Sequence, residues 1–92
     1  MSSIKTRDIR TNLIKKGFKE DDKRDHIWLN YISPDGKKTT VRTKISHGKS
    51  SIGDPLIAKM AKQTHLSKAD FLELVNCTLS GEDYYRQVRH TL

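Results

Sequence analysis

A chain of 92 residues, 34% apolar and 32% charged, has room for about one small soluble domain and excludes a second. Its longest apolar runs are three residues, Ile27-Trp28-Leu29 and Leu56-Ile57-Ala58. A membrane span takes about 20 such residues and the apolar part of a secretion signal about 7 to 15, so neither insertion nor ordinary export is expected. The formal charge of +7 sits in one half: residues 1–50 carry 13 Lys or Arg against 6 Asp or Glu, and residues 51–92 carry 5 against 5. That excess implies a polyanionic partner, nucleic acid being the commonest in a cytoplasm. No basic amphipathic helix with a broad apolar face suits a membrane surface. A lone cysteine, Cys77, cannot form an internal disulfide, which leaves packing to stabilise the core and fits a reducing, cytoplasmic location.

The first segment, TRDIRTNLIKKGF, reads as a helix ending at about residue 16. Thr6 is its expected cap, Ile9 and Leu13 share one face, and Gly17 supplies the left-handed residue that ends it. Phe18 then folds back as the accompanying apolar contact. From Phe18 to Ser46 the period becomes two. His26, Trp28 and Asn30 alternate with Ile27, Leu29 and Tyr31, and Thr40, Arg42 and Lys44 alternate with Val41, Thr43 and Ile45. SPDGK between them is a hairpin turn, and FKEDD reads as a short strand before them. A two-residue loop would set Leu29 opposite Arg42 and mix the faces. A three-residue loop, Pro34-Asp35-Gly36, sets Leu29 opposite Val41, Trp28 opposite Arg42 and His26 opposite Lys44, and is therefore expected.

Asp54-Pro55 is expected to start a second helix with Leu56, Ile57, Met60 and Ala61 buried. Ser67 with Asp70 starts a third, with Phe71, Leu72, Val75 and Leu79 on its apolar side, and Ser80-Gly81 ends it. Tyr84, Tyr85 and Val88 suggest one more short turn or helix. The expected fold is a single α+β domain: a two-layer sandwich of order α-β-β-β-α-α. A three-stranded antiparallel sheet carries helices on one face and leaves the other face open. The core is expected over about residues 6–80, with residues 81–92 as a C-terminal extension.

The open hairpin face would display His26, Trp28, Asn30, Thr40, Arg42 and Lys44 together. Arg and Lys neutralise phosphates, Trp offers a stacking surface, and Asn and Thr bond to sugar or base edges, which are the groups RNA binding requires. The alternative is that Arg42 over Trp28 is an ordinary cross-strand pair on a solvated face. His26 is the candidate acid or base, histidine being the side chain type suited to that work near neutral pH: it could take the proton of a ribose 2′-OH while Lys44 or Arg42 stabilises the phosphorane, with no metal needed. His47 and Lys49 in the HGK loop could add a phosphate contact. His65 and His90 suggest no site. The four histidines and Cys77 lack zinc-site spacing, and no Gly-rich phosphate loop occurs. Glu20, Asp21, Asp22 and Asp25 could bind Mg²⁺, but neighbouring strand carboxylates point to opposite faces, so a solvated turn is the expected reading. No small-molecule cofactor is implied.

KKGF ending the first helix, a histidine-bearing strand, a P-D-G hairpin, a strand leading into HGK, then a helix and LSKADFLEL together resemble the HicA family of toxin-antitoxin ribonucleases. The resemblance covers roughly residues 6–74. It implies a fold like the double-stranded-RNA-binding domain, metal-independent cleavage of RNA through a strand histidine corresponding to His26, and inhibition by a HicB-like antitoxin. A non-catalytic RNA-binding module and a protein-interaction domain with a basic face are the alternative functions.

Overall fold

The computed structural model describes residues 3–46, 48, 50–76 and 78–92. Its elements run β1 (Ile4–Lys5), α1 (Thr6–Lys15), β2 (Phe18–Asp22), β3 (His26–Ile32), β4 (Lys38–Ser46), β5 (Ser51–Ile52), α2 (Asp54–Gln63), α3 (Lys68–Val75), α4 (Gly81–Val88) and a terminal 3-10 turn at Arg89–Thr91. Strands β2-β3-β4 form the expected three-stranded antiparallel sheet, in that order. The α+β class holds, but the order α-β-β-β-α-α lacks three elements. Two of them, β1 and β5, pair antiparallel through Ile4↔Ile52 and Lys5↔Ser51; strands this short carry no periodicity to read. No helix among the described residues is long and apolar enough to cross a membrane.

Helix α1 buries Ile9 and Leu13 completely, as their spacing predicts. Thr6, however, does not cap it. The N-cap is Lys5, which makes no side-chain capping bond, and the Thr6 N–H donates to Ser50 O at 3.0 Å. The pairing of β1 with β5 thus fixes where α1 begins. At its other end Gly17 has φ +111°, and a Cβ there would lie 3.1 Å from Tyr31 Cε1, so both backbone angle and space require glycine. Arg10 of α1 donates two bonds to Glu20 of β2, at 2.9 and 2.7 Å, which holds the Glu20 carboxyl below its usual range. Glu20 is thereby taken out of the acidic turn and clips helix to sheet.

The second helix also begins one residue earlier than Asp54 as cap would allow. Gly53 is the N-cap, and Asp54 is already helical, paired with Lys68 at 3.3 Å. Ile57, Met60 and Ala61 are buried as expected, while Leu56 is half-buried. Ser67 caps α3, accepting the Asp70 N–H at 3.1 Å. That helix stops at Val75, so Leu79 reaches the core from the following segment, where the Thr78 and Leu79 N–H groups both bond to Glu73 O. Asn12 and Lys16 of α1 donate to the end of α3 at Val75 O and Leu74 O.

The segment from residue 81 extends the core. Ser80 caps α4 by accepting the Asp83 N–H, and Tyr84 and Val88 are 0% and 1% exposed. Tyr84 packs edge-on to Tyr31, centroids 5.0 Å apart, and lies 5.7 Å from Phe18, while its hydroxyl donates to Thr64 O at 3.0 Å. Gly81 allows this close docking: a Cβ there would lie 3.2 Å from the Lys16 carbonyl oxygen, tighter than an ordinary contact. Tyrosines at 84 and 85 gave the helix but not its docking, since spacing alone does not say against what a short helix packs.

The hairpin contains both a success and a correction. Ser33 N–H donates to Lys37 O at 2.9 Å, Gly36 has φ +85°, and Pro34-Asp35-Gly36 is the expected three-residue loop. Ile32↔Lys38 continues that register, yet the next pair is Asn30↔Arg42, so β4 carries two extra residues opposite Tyr31. The pairs are therefore Leu29↔Thr43, Trp28↔Lys44 and His26↔Ser46, not the expected Val41, Arg42 and Lys44. The Thr39 hydroxyl holds the bulge: it donates to Tyr31 O at 2.9 Å and accepts the Val41 N–H at 3.1 Å. A shift of two residues leaves the apolar side chains on their face, so Ile27, Leu29, Tyr31, Val41 and Ile45 remain buried under the helices.

Candidate functional site

Three rows of side chains cross the outer face of the sheet. Lys19, Asn30 and Arg42 form one, Asp21, Trp28 and Lys44 the next, and His26 with Ser46 the last. Alternation along β3 produces this arrangement, because Ile27, Leu29 and Tyr31 must all point to the helices, which turns His26, Trp28 and Asn30 outward and leaves them half-buried.

Trp28 is at the centre. The Arg42 guanidinium carbon lies 4.8 Å and the Lys44 ammonium 5.3 Å from the centre of its indole ring, both within cation–π range. Lys44 is the direct cross-strand partner of Trp28, and Arg42, opposite Asn30, reaches the ring diagonally. Among the described residues, Lys19, Lys38, Arg42, Lys44 and Lys59 have no acidic partner. Arg42 and Lys44 thus place two cations on the ring, on the side of Trp28 opposite Asp21, a location the formal charge alone does not give.

His26 lies where the sheet ends, in a cleft of about 220 Å³ shared with Lys44, Ser46, Leu56, Lys59 and Gln63. Helix α2 flanks the edge strand β4 there, and the Thr43 hydroxyl donates to Gln63 Oε1 at 2.7 Å to fix the approach. The backbone of His26 closes the preceding turn by accepting the Lys23 N–H at 2.8 Å. Although Lys44 is not opposite His26 in register, it lines the same cleft, and Lys59 joins it from the helix. An imidazole beside two ammonium groups can exchange a proton while those groups hold a phosphate.

Of the other expected residues, Asn30 is on the face and Thr40 is not part of the group. The bulge turns Thr40 toward a separate hollow, which it lines with Tyr85, Arg89 and Leu92. His47 and Lys49 lie outside the described residues. Lys19 and Asp21 were legible in the alternation of FKEDD, had it been extended to the hairpin face; Lys59 carried no signal, since nothing in a helix sequence tells which strand edge it will flank. Among the described residues no group of three His, Cys, Asp or Glu is gathered to hold a metal ion, and Asp21 pairs with Lys23 at 3.4 Å. No family model, no curated protein and no solved structure matches the chain.

Proposed function

We propose that the outer sheet face binds RNA and that the His26 cleft cleaves it, in the manner of a HicA-like, metal-independent endoribonuclease. The observation that carries this reading is the pair of cations on Trp28, Arg42 and Lys44, neither with an acidic partner among the described residues, continuous through Lys44 with the cleft that holds His26. Phosphates would bind Arg42, Lys44 and Lys59, and a base would stack on the indole or on the guanidinium plane above it. His26 would take the proton of a ribose 2′-OH as general base. The freed oxygen attacks the adjacent phosphorus, the bond from phosphorus to the 5′ oxygen breaks, and that oxygen is protonated as it leaves by the His26 imidazolium, which returns to its starting form. The products are a 2′,3′-cyclic phosphate and a 5′-hydroxyl end. Inhibition by a HicB-like antitoxin covering this face, and a fold like the double-stranded-RNA-binding domain, belong to the same reading.

A non-catalytic RNA-binding module is the second reading, favoured by the Trp28 platform, which is complete without His26. Salt dependence tests what both readings share. Affinity for RNA should fall steeply with salt, and Arg42→Ala or Lys44→Ala should each reduce the slope of log K against log salt by about one unit. Lys62→Ala, on the exposed side of α2, should leave the slope unchanged. Equal effects at all three positions would mean that net charge, and not this face, binds the nucleic acid.

A further inference from the structure

Beside the Trp28 platform the outer face sinks into a hollow of about 420 Å³ lined by Lys19, Asp21, Asn30, Ile32, Lys38 and Thr39. It lies beside the bulge in β4, where two extra residues leave the ladder between Asn30↔Arg42 and Ile32↔Lys38 and where Lys38 and Thr39 line it. Its contents are unusual for a solvated strand surface. Ile32 is half-buried and apolar. The half-buried Asn30 makes no side-chain hydrogen bond among the described residues, which leaves two amide donors and one acceptor unused. Asp21 presents a carboxylate one row away, held only by an exposed pair with Lys23 of the kind that contributes little and exchanges readily. Lys19 and Lys38 stand at the hollow without acidic partners among the described residues.

We infer that this hollow is a subsite for a guanine base of a single RNA strand, resting on the reading of the face as an RNA surface. The chemistry of the two polar side chains selects the base. A carboxylate only accepts, so it needs two adjacent N–H donors on one edge, and among the four RNA bases guanine alone offers them, at N1 and N2. The third group on that edge, O6, is an acceptor and is met by the Asn30 amide. Adenine, cytosine and uracil each present a lone pair to the Asp21 carboxylate at one of these positions. Ile32 contacts the base, Lys19 and Lys38 take the flanking phosphates, and the next nucleotide reaches Trp28, the cross-strand neighbour of Asp21.

The test compares an eight-residue oligouridylate with the same strand carrying one central guanosine, by fluorescence anisotropy at fixed salt. The guanosine strand should bind at least about fivefold tighter, the smallest discrimination expected of a bidentate pair. Asp21→Asn, at an exposed position, should abolish that preference while leaving oligouridylate binding within about twofold. Inosine, which lacks the N2 amino group, should recover less than half of it. Equal binding of the two strands by the wild-type protein, or a preference that survives Asp21→Asn, overturns the guanine subsite and leaves the RNA reading standing. Failure of both strands to bind overturns the RNA reading and the subsite together.

Discussion

His26→Ala should cut RNA at least about a hundredfold more slowly than the wild-type protein while binding it equally well, as expected for removal of an acid-base group. The assay is cleavage of a labelled RNA in EDTA, with the ends of the products identified. The wild type should leave a 2′,3′-cyclic phosphate or its hydrolysis product and should spare DNA, which has no 2′-hydroxyl to attack. Lys59→Ala should slow cleavage less, since Lys44 remains in the cleft to meet the developing charge. Unchanged activity in His26→Ala would remove the catalytic assignment and leave the non-catalytic reading of the same face.

Tyr84→Ala should destabilise the fold by about 3 to 5 kcal/mol, the usual result of truncating a fully buried aromatic. Small domains are stable by about 5 to 15 kcal/mol in all, so the variant should be partly unfolded at modest urea concentrations. The reason lies in its position: the ring joins Phe18 of β2, Tyr31 of β3 and the loop carbonyl of Thr64 in one contact. Tyr84→Phe keeps the ring and loses the bond to Thr64 O, at about 1 kcal/mol. Alkali should separate the two effects. Burial raises the pKa of both Tyr31 and Tyr84 above the ordinary value of 10.0. For groups raised in the folded state, stability is fully present below about pH 10 and is lost as pH rises toward the folded value. Urea midpoints of the wild type should therefore fall above pH 10, and less steeply in Tyr84→Phe. A truncated Tyr84 that left the midpoint unchanged would show α4 to be dispensable.

What the residues foretold, and what they hid, follows from how each signal arises. The faces of β3 and β4 were legible because strict alternation leaves one way to bury Ile27, Leu29 and Ile45. The register was not, since a pattern of period two is blind to a slip of two residues, and the bulge held by Thr39 is such a slip. It moved Lys44 opposite Trp28, placed Ser46 opposite His26, and removed Thr40 from the group. Caps were legible where a serine side chain does the capping, at Ser67, and hidden where tertiary pairing sets the start, at Thr6 and Asp54. The hollow beside Asn30 was out of reach altogether, because a bulge announces itself by no residue type when threonine rather than glycine forms it.

The central claim is that RNA binds across the face centred on Trp28, the only tryptophan in the chain. Titrating the protein with single-stranded RNA at low salt while following indole emission and its quenching by acrylamide tests that claim directly. The half-buried ring, touched by Arg42 and Lys44 but uncovered by helices, should be reached by acrylamide in the free protein, quenched by RNA, and shielded from acrylamide in the complex. Trp28→Ala should weaken binding without unfolding the protein, by the roughly 1 to 3 kcal/mol of one stacked base. An indole that RNA leaves unchanged in emission and in accessibility, at concentrations where binding is otherwise saturated, would place the nucleic acid elsewhere and contradict the account.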